Sequence, residues 1–163
     1  MRLLNSNFNI MKTKFLIPIL FCCICTGSLW GQSQETFALK LDHMALSVKD
    51  LEKSVDFYKN VLKLSEITNL TKKEGIRWVS LGEGKELHLV STIKEPVMIN
   101  KAVHLAFKVT HFDALIEALK SQNITYSDWP GILDKITVRA DGIKQIYIQD
   151  PDGYWIELNS DEK

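Results

Sequence analysis

One stretch of this chain is written twice, and that duplication limits the possible fold more than any other feature. At an offset of 61 residues, His43-Met44-Ala45-Leu46-Ser47-Val48 aligns with His104-Leu105-Ala106-Phe107-Lys108-Val109, and Val55 falls on Ile116. At an offset of 69, Trp78 falls on Tyr147, Gly84 on Gly153, Leu87 on Ile156, His88 on Glu157 and Leu89 on Leu158. Each copy opens with an alternating strand and continues into an amphipathic helix. In the first helix Leu51, Val55, Tyr58 and Leu62 share a face behind Asp50, an N-cap residue. In the second, Phe112, Leu115, Ile116 and Leu119 do so behind Thr110, with Asp113 completing a capping-box pattern. A hairpin ends each copy. Arg77 to Leu81 and Lys85 to Val90 flank Gly82-Glu83-Gly84; Lys144 to Gln149 and Tyr154 to Asn159 flank Asp150-Pro151-Asp152-Gly153, which is strong turn chemistry. Segments Leu64 to Leu70 and Ile124 to Asp128 supply the remaining strand of each copy, and the extra offset predicts a longer loop between Trp129 and Gly142. The expected fold is α+β: two tandem β-α-β-β-β modules, residues 39–92 and 102–159, whose mixed sheets form a pair of half-barrels around one site.

Strand alternation sorts the side chains into two faces. Leu87, Leu89, Ile156 and Leu158 pack under the helices, with Met44, Leu46, Val48, Leu105, Phe107 and Val109 facing the same way. The opposite face carries His43, Ala45, His88, His104, Ala106 and Glu157. Three imidazoles and a carboxylate at repeat-equivalent positions are a metal-ligand set. This donor set favours a late first-row ion such as Zn, Ni, Co or Fe, with Mn also admitted, over Mg or Ca. Trp78, Gln145 and Tyr147 lie nearby as candidate substrate contacts. Glu86 is the rival to His88 as ligand, and the repeat register selects His88 because Glu86 would fall on Trp155.

The start of the chain belongs to a different kind of segment. Lys12-Thr13-Lys14 precedes an apolar run from Phe15 to Cys25, then small and polar residues to Gly31. A basic start, a short apolar stretch and a small residue before polar sequence make a secretory signal. That run is well short of the roughly 20 residues of a membrane span. Residues 1–31 are therefore expected to be a signal, with Met11 as an alternative start, followed by a flexible stretch at 32–37 and the domain at 38–163. None of Cys22, Cys23 and Cys25 follows a small residue, which argues against lipid attachment. All three cysteines leave with the signal, so the exported chain has no thiol chemistry. Loss of Arg2, Lys12 and Lys14 leaves 17 basic residues against 20 acidic ones. Such mild acidity argues against a nucleic-acid partner, and a soluble periplasmic or secreted protein with a small-molecule substrate is the expectation.

The motifs Asp42-His43-Met44-Ala45-Leu46-Ser47-Val48 with Phe57-Tyr58, Glu86-Leu87-His88-Leu89, His104-Leu105-Ala106-Phe107 and Asp150-Pro151-Asp152-Gly153-Tyr154-Trp155-Ile156-Glu157-Leu158 resemble those of the vicinal oxygen chelate superfamily. That superfamily includes glyoxalase I, methylmalonyl-CoA epimerase, fosfomycin-resistance thiol transferases, extradiol dioxygenases and bleomycin-resistance proteins. The resemblance implies one divalent metal held by His43 and His88 from one module and His104 and Glu157 from the other. It also implies lyase or isomerase chemistry on a substrate with two adjacent oxygens, with Glu157 as catalytic base. His88 stands where glyoxalase I usually has a glutamate. An Fe(II) extradiol-type dioxygenase and a non-catalytic drug-binding protein are the alternative readings. The sequence leaves open whether the modules close within one chain or exchange between two chains of a homodimer.

Export makes a direct prediction. Protein recovered from its native envelope should have the intact mass of a chain beginning at Gln32. A mass that retains Cys22 to Cys25, or lipid on any of them, rules that processing out.

Overall fold

The computed structural model describes residues 37–162; the expected signal and most of the stretch at 32–37 lie outside the described residues. The elements run β1 (His43–Ser47), α1 (Leu51–Asp56), β2 (Glu66–Ile67), β3 (Ile76–Gly82), β4 (Lys85–Val90), β5 (His104–Val109), α2 (Phe112–Ser121), β6 (Thr137–Val138), β7 (Lys144–Gln149) and β8 (Trp155–Ser160). They form two four-stranded sheets of identical plan, ordered β1-β4-β3-β2 and β5-β8-β7-β6. In each, the first and last strands pair in parallel, and the others pair antiparallel. Parallel neighbours need a crossover, which α1 and α2 begin. This is the β-α-β-β-β unit read from the sequence, twice over.

The faces sort as the alternation requires. Leu87, Leu89, Ile156 and Leu158 are fully enclosed on the helix side, with Leu46, Val48, Val55 and Ile116 in the same continuous core. Asp50 caps α1 by accepting the Lys53 amide at 3.1 Å. The helix then widens into a π-helical turn, Phe57–Val61, which closes with the Leu62 amide on the Phe57 carbonyl. Both hairpin glycines matched by the repeat, Gly84 and Gly153, sit at positive φ, which a side chain would resist.

Two expectations about the second module need correction. Its helix begins at Phe112 behind His111, which adopts the left-handed conformation and offers no side-chain cap. Thr110 lies one residue too early to cap it, and Asp113 instead binds the Lys144 ammonium at 2.8 Å. The outer strand is Thr137–Val138, not Ile124 to Asp128. Ser127 makes only isolated bridges to Tyr147 and Leu133. There the buried Asp128 carboxylate accepts from the Gly131 and Ile132 amides, folding the backbone into a turn where a strand would have to run on.

The Asp150–Gly153 turn joins the modules. Asp152 accepts the Lys49 amide at 2.9 Å and the Ser54 hydroxyl at 3.0 Å, and the Tyr154 hydroxyl donates to the Ser47 carbonyl at 3.0 Å. Asp150 accepts from the buried Tyr58 hydroxyl at 2.9 Å while also accepting the Asp152 and Tyr154 amides. Burial pushes the Asp150 carboxyl up from its ordinary value despite these donors. Tyr58→Phe removes the buried donor and should lower stability by about 1–3 kcal/mol. The measurement is a shifted urea midpoint at unchanged slope; an unmoved midpoint would show that the bond contributes nothing.

Candidate metal centre

Strand pairing places the candidate ligands with a symmetry that the sequence offset only implied. In the first sheet Ala45 lies opposite His88, and Trp78 lies opposite His88 from the other side. In the second, Ala106 lies opposite Glu157, and Tyr147 lies opposite Glu157. His88 and Glu157 therefore occupy equivalent positions. The rival Glu86 pairs with His43 as Trp155 pairs with His104, one step along the strand.

The hydrogen bonds prepare most of these side chains for a cation. His104 Nδ1 lies 2.9 Å from the Lys101 carbonyl, which can only accept, so a proton sits on Nδ1 and Nε2 is the nitrogen turned toward the carboxylate. That Nε2 is 3.1 Å from Glu157 Oε2. Two acceptors at this separation call for a positive charge between them, either a proton or a metal ion. Glu157 is buried, and its oxygens are held by the Tyr147 hydroxyl at 2.5 Å and the Asn159 amide at 2.6 Å. Burial pushes its carboxyl up, but the donors Tyr147, Asn159 and Gln145, together with His104, outweigh that and hold it below the ordinary value. Glu157 is thus an ionised acceptor at neutral pH. In the first module His43 Nδ1 meets Asp42 at 2.7 Å, the carboxylate–imidazole pairing that leaves Nε2 free to ligate. His88 differs, because its Nε2 meets Glu86 at 2.8 Å and Nδ1 is left free. Its ring is clamped between His43 and Trp78, with centroids 4.2 Å away on either side.

The donor set fits a divalent metal in type. Its placement is two pairs, His43 with His88 and His104 with Glu157, one on each sheet. Among the described residues, no group of three or more His, Cys, Asp or Glu side chains stands together to hold a metal ion. The cause is topological. Pairing of first and last strands brings two ligands together within a sheet, but β1 and β5 are sheet edges and no strand is shared between the sheets.

The three candidate substrate contacts sit behind the ligands. Trp78 is buried flat against His88, and its indole nitrogen has no hydrogen-bond partner. Tyr147 is only 4% exposed and spends its hydroxyl on Glu157, while Gln145 binds Asn159 at 3.1 Å. The sequence reading missed the groups around His104: Lys101, Trp129 and Trp155. The Trp129 ring stands edge-on to His104 and to Tyr147, at 6.4 and 5.5 Å between centroids. Trp155 was legible as the strand partner of His104. Nothing in the spacing of Lys101 and Trp129 signals their approach, because loop folding alone brings them together.

Residues 40–158 match the family model described as the Glyoxalase/Bleomycin resistance protein/Dioxygenase superfamily, and the chain belongs to that superfamily. Among curated proteins it is similar to the metallothiol transferase FosB of Staphylococcus saprophyticus, 29% identical over 126 residues covering 74% of this chain and 76% of the relative. It is also similar to the human mitochondrial methylmalonyl-CoA epimerase, 30% identical over 146 residues covering 82% and 77%. Both relatives are enzymes by name. Among solved structures the oxidase ChaP-H2 superposes with a TM-score of 0.64 at 21% identity, covering 76% of this chain and 94% of that one. A glyoxalase/dioxygenase from Nostoc punctiforme does so at 0.61 and 23%, covering 94% and 100%. These neighbours share the fold of paired modules.

Proposed function

We propose that this chain is an exported, metal-dependent enzyme of the glyoxalase I-like kind, performing lyase or isomerase chemistry on a small molecule with two adjacent oxygens. The observation that carries the reading is Glu157: an ionised, buried carboxylate, aimed by Tyr147 and Asn159, against the Nε2 of His104. His43, His88, His104 and Glu157 would hold the ion. A divalent metal supplies Lewis acidity, polarising substrate oxygens so that a neighbouring carbon gives up a proton more readily. Glu157 takes that proton and returns it, with Tyr147 and Asn159 keeping the carboxylate oriented through the transfer. The enclosed Trp78 and Tyr147 rings back the two ligands and keep water from behind them.

In this reading the two ligand pairs meet across a homodimer, the first pair of one copy facing the second pair of the other. The exposed Ala45 and Ala106 on the ligand faces, and the open edges of β1 and β5, support that arrangement. An unpaired edge strand is a ready surface for another chain.

Chelator competition tests the ligand set. Loss of a supporting neighbour usually costs about 10–100-fold in metal affinity, so His88→Ala should lose at least that and Glu86→Ala less. A variant Glu86→Ala that loses the metal while His88→Ala keeps it would hand the fourth position to Glu86. A second measurement tests the base. Solvent-deuterium exchange into α-hydroxy-ketones, hemithioacetals and acyl-CoA epimers should disappear in Glu157→Gln while much of the metal stays bound. Undiminished exchange in that variant removes Glu157 from the role.

A further inference from the structure

The geometry points to Lys101 as the positioning residue of the second ligand pair, fixing His104 through its carbonyl and the aromatic wall beside it through its ammonium. The inference rests on the reading of His104 as a ligand. Lys101 lies in the turn just before β5, and its two ends do different work. Its backbone oxygen accepts from His104 Nδ1 at 2.9 Å, which turns Nε2 toward Glu157 and fixes the ring plane. Its Nζ lies 4.3 Å from the Tyr147 ring centroid, 4.4 Å from that of Trp155 and 5.7 Å from that of Trp129. A cation within about 6 Å of an aromatic face is attracted by the ring quadrupole. Here three rings share one charge.

The same ammonium ties down the loop that carries the wall. It donates to the Asp128 carbonyl at 2.6 Å, the Trp129 carbonyl at 3.1 Å and the Ser127 hydroxyl at 3.4 Å. An ammonium has three hydrogens, and all three are used. Lys101 therefore has no donor left for a substrate, and a positive charge beside the site does not mark an anion receptor. What it secures is Trp129. That side chain is 49% exposed, sits on a loop with little strand pairing, and needs an anchor to stay edge-on to His104. Without the charge, the wall residue loses its hold and the Lys101 turn loses its tie to the loop, which loosens the carbonyl under His104.

Two experiments test this, one on the unaltered protein. Reductive methylation of the native full chain, read by peptide mass, should modify Lys101 more slowly than the exposed Lys108. Equal rates would show that the ammonium is free and overturn the assignment. In the second, Lys101→Met should make Trp129 fluorescence more accessible to acrylamide, the added signal vanishing when Trp129→Phe is introduced as well. Zinc affinity, measured by chelator competition with the metal alone, should fall by about tenfold or more, as for a lost support of a ligand. Lys101→Arg, which keeps the charge, should restore most of both signals. Unchanged quenching in Lys101→Met, or an Arg variant as impaired as the Met variant, overturns the assignment. A wild-type protein that binds no zinc removes the metal reading, while the methylation and quenching results still decide the role of Lys101.

Discussion

Everything at the candidate centre depends on the parallel pairing of the first and last strands of each module. Parallel strands cannot be joined by a tight turn and need a crossover, and each module here sends its chain through a helix and two further strands before the partners meet. That detour gives each sheet a helix to bury its apolar face against, and it leaves the other face to the candidate ligands. It also fixes the register in which Ala45 lies opposite His88 and Ala106 opposite Glu157. A slip of one residue would send His88 and Glu157 to the core side and Leu87 and Ile156 into water. The four fully enclosed leucines and isoleucines of β4 and β8 therefore hold His88 and Glu157 in place as surely as any hydrogen bond to them does.

The modules are held to one another by different means. The Asp150–Gly153 turn reaches from the second module to the corner between β1 and α1, and both of its carboxylates are satisfied there by amides and hydroxyls. The π-helical turn at Phe57–Val61 lies in the same region and carries Tyr58. Buried polar contacts of this kind are worth little net, yet breaking one partner is costly, so they act mainly to specify one arrangement of the modules. They do so from the ends of the strands and from the helix, leaving the ligand faces uncommitted.

The repeat made the fold legible. Two offsets predicted both modules, both hairpins, the buried faces and the equivalence of His88 with Glu157. Local chemistry misled where two signals competed. Thr110 looks like a cap, but the left-handed turn at His111 starts the helix one residue later, and Asp113 finds Lys144 instead. Ile124 to Asp128 has strand-like composition, but the Asp128 side chain bends the backbone away from the sheet. The candidate centre was legible as a set of donor side chains sharing a face and not as a contact map. Alternation reports which face a side chain takes, whereas the approach of Lys101 to three rings and the tilt of Trp129 depend on loops with no period to read.

Because each sheet completes its pairing without borrowing a strand from the other, the two halves can diverge independently. A duplicated ancestor of this kind would begin with matching donors on both sides. Exchange of one donor, such as imidazole at position 88 against carboxylate at 157, alters no strand pair and leaves the helix-side core untouched. The fold thus tolerates inheritance of new chemistry one half at a time, with the unaltered half preserving the scaffold while the altered one is tried.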